Sequence, residues 1–122
     1  MSDVDWAEGR TITTAELPAA ITAYLLAHRD HDVPTAVGTF TPDAVVTDDG
    51  HTYHGLAEIA GWVASTASEY TFTTTLVGAS AVDAARYEVR QHLEGDFPGG
   101  VVDLRYRFTM HGASIAALEI AA

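Results

Sequence analysis

Hydrophobic positions repeat with a helical period over the first half of this chain and with a strand period over the second. Leu17, Ile21, Tyr24, Leu25 and His28 share one stripe, which predicts a helix running to about Arg29 with that stripe toward the core. Thr13 and Glu16 have capping-box spacing, and Pro18 belongs in a first turn, so the helix start is expected between Ala15 and Leu17. Asp32 is expected to cap a second, short helix with Pro34 in its first turn and Val37 and Phe40 inward. Leu56, Ile59, Trp62, Val63 and Thr66 stripe a third helix, from Leu56 to about Ser68.

The remainder alternates. Tyr70, Phe72, Thr74 and Leu76 face one way along a strand from Tyr70 to Val77, and Gly78 to Ala81 reads as a turn. A long strand is expected from Val82 to Glu94, with Tyr87, Val89, Gln91 and Leu93 opposed to Arg86, Glu88, Arg90, His92 and Glu94. After a connector holding Phe97-Pro98-Gly99, the residues Val102, Leu104, Tyr106, Phe108 and Met110 alternate with Asp103, Arg105, Arg107 and Thr109. His111-Gly112-Ala113 then turns into a last strand, Ser114 to Ile120. A sheet with one apolar face needs the helices on that face. Long strands wrapped around three helices leave a cone, with a cavity at its wide end. The predicted fold is thus α+β, with three N-terminal helices packed in a strongly curved, mainly antiparallel sheet.

Between the two halves lies FTPDAVVTDDGHTYHGLAEIAGW, Phe40 to Trp62. Asp49-Gly50 is a pair suited to a tight hairpin turn, whose two central residues need positive φ. It joins a strand from Ala44 to Asp48 to a second short strand. Ala44, Val46 and Asp48 share one face of the first strand, so the acid continues an apolar row. Asp48 therefore either leaves the core at the rim, accepting turn N–H groups, or stands inside a pocket.

The chain of 122 residues suits one domain, 1–122, with residues 1–12 expected as a loose arm on which Trp6 is an apolar anchor. Its formal net charge of −11 argues against nucleic acid and anionic membrane as partners. There is no cysteine, hence no disulfide and no thiolate chemistry. No apolar run approaches a membrane span and the N-terminus lacks a leader pattern, so a cytoplasmic location is expected. The pairs His28 with His31 and His51 with His54 complete no ligand set, so neither a metal nor a cofactor is expected. Arg86, Arg90, Arg105 and Arg107, with Glu88, Glu94 and Asp103, are expected on the outer sheet face as ion pairs or as a dimer surface.

Tyr24, Asp32, Phe40 to Gly50, GLAEIAGW from Gly55 to Trp62 and RYRFTMHGASIAALEI from Arg105 to Ile120 carry a family resemblance. The chain resembles the nuclear transport factor 2-like superfamily, which includes ketosteroid isomerases and SnoaL-type polyketide cyclases. The resemblance covers about Ala15 to Ile120. It implies a conical, cystatin-like or ketosteroid isomerase-like barrel and a homodimer. It also implies cofactor-free acid/base chemistry next to a carbonyl (isomerase, cyclase or dehydratase) on a small apolar or aromatic ligand. The alternative is a non-catalytic ligand-binding protein or dimeric scaffold of the same shape. Tyr24 falls where the isomerases place an enolate-stabilising tyrosine, and Asp48 where they place a proton-shuttling aspartate. Their second, protonated aspartate has no counterpart: Tyr106, or Leu104 or Arg105, stands there, and Asp103 has outward parity.

The candidate catalytic residues are thus Asp48 as base and Tyr24 as hydrogen-bond donor, set against a turn acid and a core tyrosine. Trp62, Phe72, Tyr87, Tyr106 and Phe108 are expected to line a pocket or to pack as core, His28 lies one turn from Tyr24, and Tyr53 and His54 flank the mouth.

Overall fold

A computed structural model describes residues 6–69 and 72–122, the side chains of 67–69 excepted. Tyr70, expected at the head of a strand, lies outside the described residues. In chain order the elements are β1 (Arg10–Ile12), α1 (Ala19–Arg29), α2 (Val33–Val37), β2 (Phe40–Asp48), β3 (His51–His54) and α3 (Gly55–Glu69), then β4 (Phe72–Ala81), β5 (Arg86–Gly95), β6 (Val101–His111) and β7 (Ser114–Ala121).

Seven strands form one sheet in the order β1-β4-β5-β6-β7-β2-β3. The second-half meander is antiparallel as expected, whereas β2 lies parallel to β7. The sheet curves around the helices. Register shifts between Phe40 and Val45, between Leu76 and Gly78, and between Thr109 and Met110 supply bends, since a bulge increases local twist.

Four expectations are corrected here. Helix α1 starts at Ala19, not between Ala15 and Leu17: Thr13 and Glu16 do form the capping box, but it closes a single 3-10 turn over Thr14–Glu16. A residue before proline avoids the helical region, and Leu17 is extended, so the helix restarts behind Pro18. Helix α2 stops at Val37, and Phe40 opens β2 rather than closing that helix. Gly78 to Ala81 is not a turn but the second half of β4, beyond a bulge at Val77, where it pairs with both β1 and β5. The turn falls at 82–85 instead, where Asp83 accepts from the Ala85 N–H at 2.8 Å and from Arg86 at 2.9 Å. The arm expected to be loose is folded from Trp6 onward: Arg10–Ile12 is the edge strand, and the Trp6 ring lies 5.4 Å from the Arg107 guanidinium.

The core is the sheet's concave face against Ile21, Tyr24, Ile59, Trp62 and Val63. Helix α3 buries the stripe read from the sequence, Ile59, Trp62 and Val63, with Leu56 and Thr66 half-buried.

Candidate functional site

The hairpin turn forms as the Asp-Gly pair dictates, with φ +53° at Asp49 and +79° at Gly50. It fixes the end of β2, and strand parity then turns Asp48 to the same side as the fully buried Ala44 and Val46. The sheet register does the rest. Asp48 pairs with Ile120, and Ile120 pairs with Tyr106, so acid and phenol occupy one row across β2, β7 and β6. Two inter-strand steps put their backbones roughly 10 Å apart. One row deeper lie Tyr53, Val46, Leu118, Phe108 and Tyr87.

Above the Asp48 row the interior is open. A cavity of about 450 Å³ is lined by His28, Asp48, Asp49, Trp62, Thr66, Phe72, Leu93, Phe97, Pro98, Val102, Leu104, Tyr106 and Ile120. The acid therefore stands in a pocket wall. The row explains which expected residues are brought together. Asp48, His28, Trp62, Phe72 and Tyr106 line the cavity. Phe108 belongs to the row below, fully buried, and packs in the core instead of lining the cavity. Tyr87 and Tyr53 share that deeper row; the Tyr87 hydroxyl donates to the Ala84 carbonyl at 3.3 Å, and the Tyr53 ring packs 6.1 Å from Trp62. His54 pairs with Val45 on the opposite parity and is exposed. Asp103 is on the outer face, in contact with His92 at 2.6 Å.

The polar side chains of the wall are tied to one another. The Trp62 Nε1–H donates to Asp48 Oδ2 at 2.9 Å, and no hydrogen bond to Oδ1 is present among the described residues. His28 Nε2 meets the Thr66 hydroxyl at 3.0 Å, and that hydroxyl also lies 3.1 Å from the carbonyls of Trp62 and Val63. Carbonyls only accept, so the single Thr66 hydrogen goes to the helix backbone and His28 donates through Nε2. Burial lowers the His28 pKa, His31 adds to this, and Asp48 works against it, so the ring is neutral at neutral pH.

Tyr24 lies behind this wall. Its ring is near-parallel to Trp62 (6.5 Å) and His28 (5.8 Å), which lie 6.2 Å from each other, and edge-on to Phe40 and Phe108. Only 1% of it is exposed and its hydroxyl has no hydrogen-bond partner. Burial pushes its pKa well up, helped by Tyr106 and Asp48. Tyr106 is raised too, by burial first and then by the Asp48 charge, against a Gln91 hydrogen bond that lowers it. Both phenols are protonated donors at neutral pH. Sequence reasoning missed Leu93, Val102, Leu104 and Ile120, which have the same inward parity as Tyr106. It also missed the rim residues Phe97 and Pro98, whose position depends on how the β5–β6 turn folds back over the mouth.

No family model and no curated protein matches this chain by sequence. Solved structures do. A protein assigned as a polyketide cyclase, from Sinorhizobium meliloti, is 32% identical, with a TM-score of 0.83 over 90% of this chain and 100% of that one. A ketosteroid isomerase-like protein from Catenulispora acidiphila, solved with trimethylamine, is 20% identical with a TM-score of 0.76 over 86% of this chain and 85% of that one. A Mycobacterium tuberculosis protein solved with estradiol-17β-hemisuccinate is 14% identical, with a TM-score of 0.71 over 84% of this chain and 90% of that one. With a relative above 30% identity over 90% of the chain, and with the cone built as that fold requires, the chain belongs to the SnoaL-like, nuclear transport factor 2-like superfamily.

Proposed function

We propose that this protein is a cofactor-free enzyme that moves a proton next to a carbonyl in a small, mostly apolar substrate, acting as an isomerase, cyclase or dehydratase. The observation that carries this is Asp48: a half-buried acid in a cavity wall, with one oxygen held by Trp62 and the other without a hydrogen-bond partner among the described residues. Oδ1 takes a proton from the carbon beside the carbonyl, and the C–H electron pair moves into the enolate. The Tyr106 hydroxyl, in the same row, donates to the developing oxyanion. Tyr24 is the second donor, its hydroxyl without a hydrogen-bond partner among the described residues and its pKa raised by burial and, in smaller part, by the Asp48 charge. The enolate then takes the proton back from Asp48 at another carbon, attacks a second carbonyl whose oxygen takes that proton, or expels a β-hydroxyl that takes it and leaves as water. These three outcomes are isomerisation, cyclisation and dehydration. The raised phenol pKa values support donor roles for both tyrosines, and the small molecules held by the two lower-identity structural relatives support a ligand in this cavity. A homodimer formed through the outer sheet face, in the cytoplasm, is part of the same proposal.

A second reading is a binding protein without turnover. It is favoured by one observation, that Tyr24 is closed off from the cavity instead of lining it. The test is α-proton exchange in D2O, followed by NMR, with cyclohex-3-en-1-one and larger β,γ-unsaturated ketones. The acid/base reading expects exchange above the buffer rate and its loss, by about 10²–10⁴-fold, in Asp48→Asn. Ligand binding without exchange would select the binding protein.

A further inference from the structure

The cavity has a charge pattern that bears on what it takes in. Every basic side chain of the chain is an arginine: Arg10, Arg29, Arg86, Arg90, Arg105 and Arg107. None of them lines the cavity. Arg29 is paired with Asp30, Arg86 with Asp83, and both Arg90 and Arg107 with Glu88. Arg105 donates to the Ala122 carbonyl, and Arg10 is on the edge strand. The wall instead holds two carboxylates, Asp48, half-buried, and Asp49 on the exposed hairpin turn. Four aromatic rings stand among them: Trp62 and Tyr106 within, and Phe72 and Phe97, both half-buried. His28, the one lining side chain able to gain a positive charge, is neutral because burial lowers its pKa.

Carboxylates and the faces of aromatic rings attract the same thing. A ring quadrupole presents negative density, and an alkylammonium over it gains about 0.5–2 kcal/mol according to how far it is desolvated. An anionic substrate has the opposite experience. It meets two acids and finds no guanidinium to receive it.

We propose that the cavity is selective for organic cations: its substrate carries an alkylammonium, held at the mouth by Asp49 with the rings of Phe72 and Phe97, while its apolar body reaches down to Asp48. This deepens the acid/base reading only in using Asp48 as the reacting end. The charge preference itself stands on the lining residues.

The test compares three ligands of one shape by isothermal titration calorimetry: 4-(trimethylammonio)phenol, its neutral isostere 4-tert-butylphenol, and the anion 4-hydroxybenzenesulfonate. The ammonium is expected to bind about tenfold tighter than the neutral isostere, with affinity that falls as salt is raised. The sulfonate is expected to bind more weakly than either. Asp49→Asn keeps the left-handed turn, which asparagine tolerates well, and is expected to reduce the ammonium-to-neutral ratio about threefold. Equal or tighter binding of 4-tert-butylphenol, tighter binding of the sulfonate, or no binding of the ammonium overturns the proposal. A ratio unchanged in Asp49→Asn overturns the placement of the cation at the mouth. The two readings fail separately. Preference for the neutral ligand, with exchange still lost in Asp48→Asn, removes only the charge selectivity. Preference for the ammonium without any α-proton exchange removes only the chemistry.

Discussion

Two acids on opposite faces of one sheet show how differently a protein can treat a carboxylate. Glu88 is on the outer, convex face and only 7% exposed. Its Oε2 receives the Arg107 Nε–H at 2.9 Å, and its Oε1 faces an Arg90 nitrogen at 3.4 Å. Asp48 is on the inner face, beside about 450 Å³ of open volume, with one indole N–H and no cation among the described residues. Burying a charge is costly unless partners compensate it. At Glu88 the compensation is complete, and the group is a piece of architecture. At Asp48 it is partial, and a reactive oxygen is left facing space where a guest can sit. Partner count, more than burial, separates the structural acid from the one offered for chemistry.

That contrast can be attacked from both sides. The largest effect is expected from Trp62→Phe, which removes the indole donor to Asp48 and shrinks a ring packed on Tyr24, His28 and Tyr53. A loss of about 2–3 kcal/mol in urea unfolding is expected, with slower α-proton exchange. Glu88→Ala leaves Arg90 without its acid and Arg107 with Glu119 alone, at 3.9 Å. Both arginines are partly exposed, so water screens them, and about 1–2 kcal/mol is expected, with exchange left at the wild-type rate. Tyr24→Phe removes a buried hydroxyl that has no partner, so stability should hold or rise, by up to about 1 kcal/mol, while exchange slows. Destabilisation by more than that would mean that the Tyr24 hydroxyl has a partner in solution.

The smallest effects concern two histidines on the same two faces. His28 inside has a pKa lowered by burial, whereas half-buried His92 outside has one raised by Asp103. The signs follow by linkage. A lowered folded pKa gives stability that is present above the unfolded value, near 6.5, and lost as pH falls below it. A raised one gives stability that is full below about 6.5 and lost as pH climbs through the folded value. Imidazole NMR titrations should therefore show His92 protonated and His28 neutral at about pH 6.5. The reverse order would contradict the assigned surroundings of both rings.

Much of this was readable from residue order. Parity along Ala44, Val46 and Asp48 set the direction of the acid, the Asp-Gly pair set its turn, and the Ile59, Trp62, Val63 stripe set the opposite wall. Alternation gives a side chain's face but not its depth along the cone. Tyr87 and Phe108, expected to line a pocket or to pack as core, and Tyr53, expected at the mouth, pair in the row beneath Asp48. Depth depends on which residues sit opposite one another, and the parallel pairing of β2 with β7 joins segments far apart in the chain. The same limit hid the edge strand Arg10–Ile12, too short to show a pattern, and the continuation of β4 past Val77, where a glycine resembles a turn and a bulge was the answer. The burial of Glu88 was hidden as well, since its outward parity reads as solvent until both arginines close over it.

The most direct test crosses the two acids in one experiment. Rates of α-proton exchange and melting temperatures are measured side by side for wild type, Asp48→Asn and Glu88→Ala. Asp48→Asn should lose about 10²–10⁴-fold in exchange and keep its melting temperature, because asparagine still accepts the Trp62 hydrogen bond, while Glu88→Ala should melt earlier and exchange normally. Wild-type exchange rates in Asp48→Asn would contradict the account.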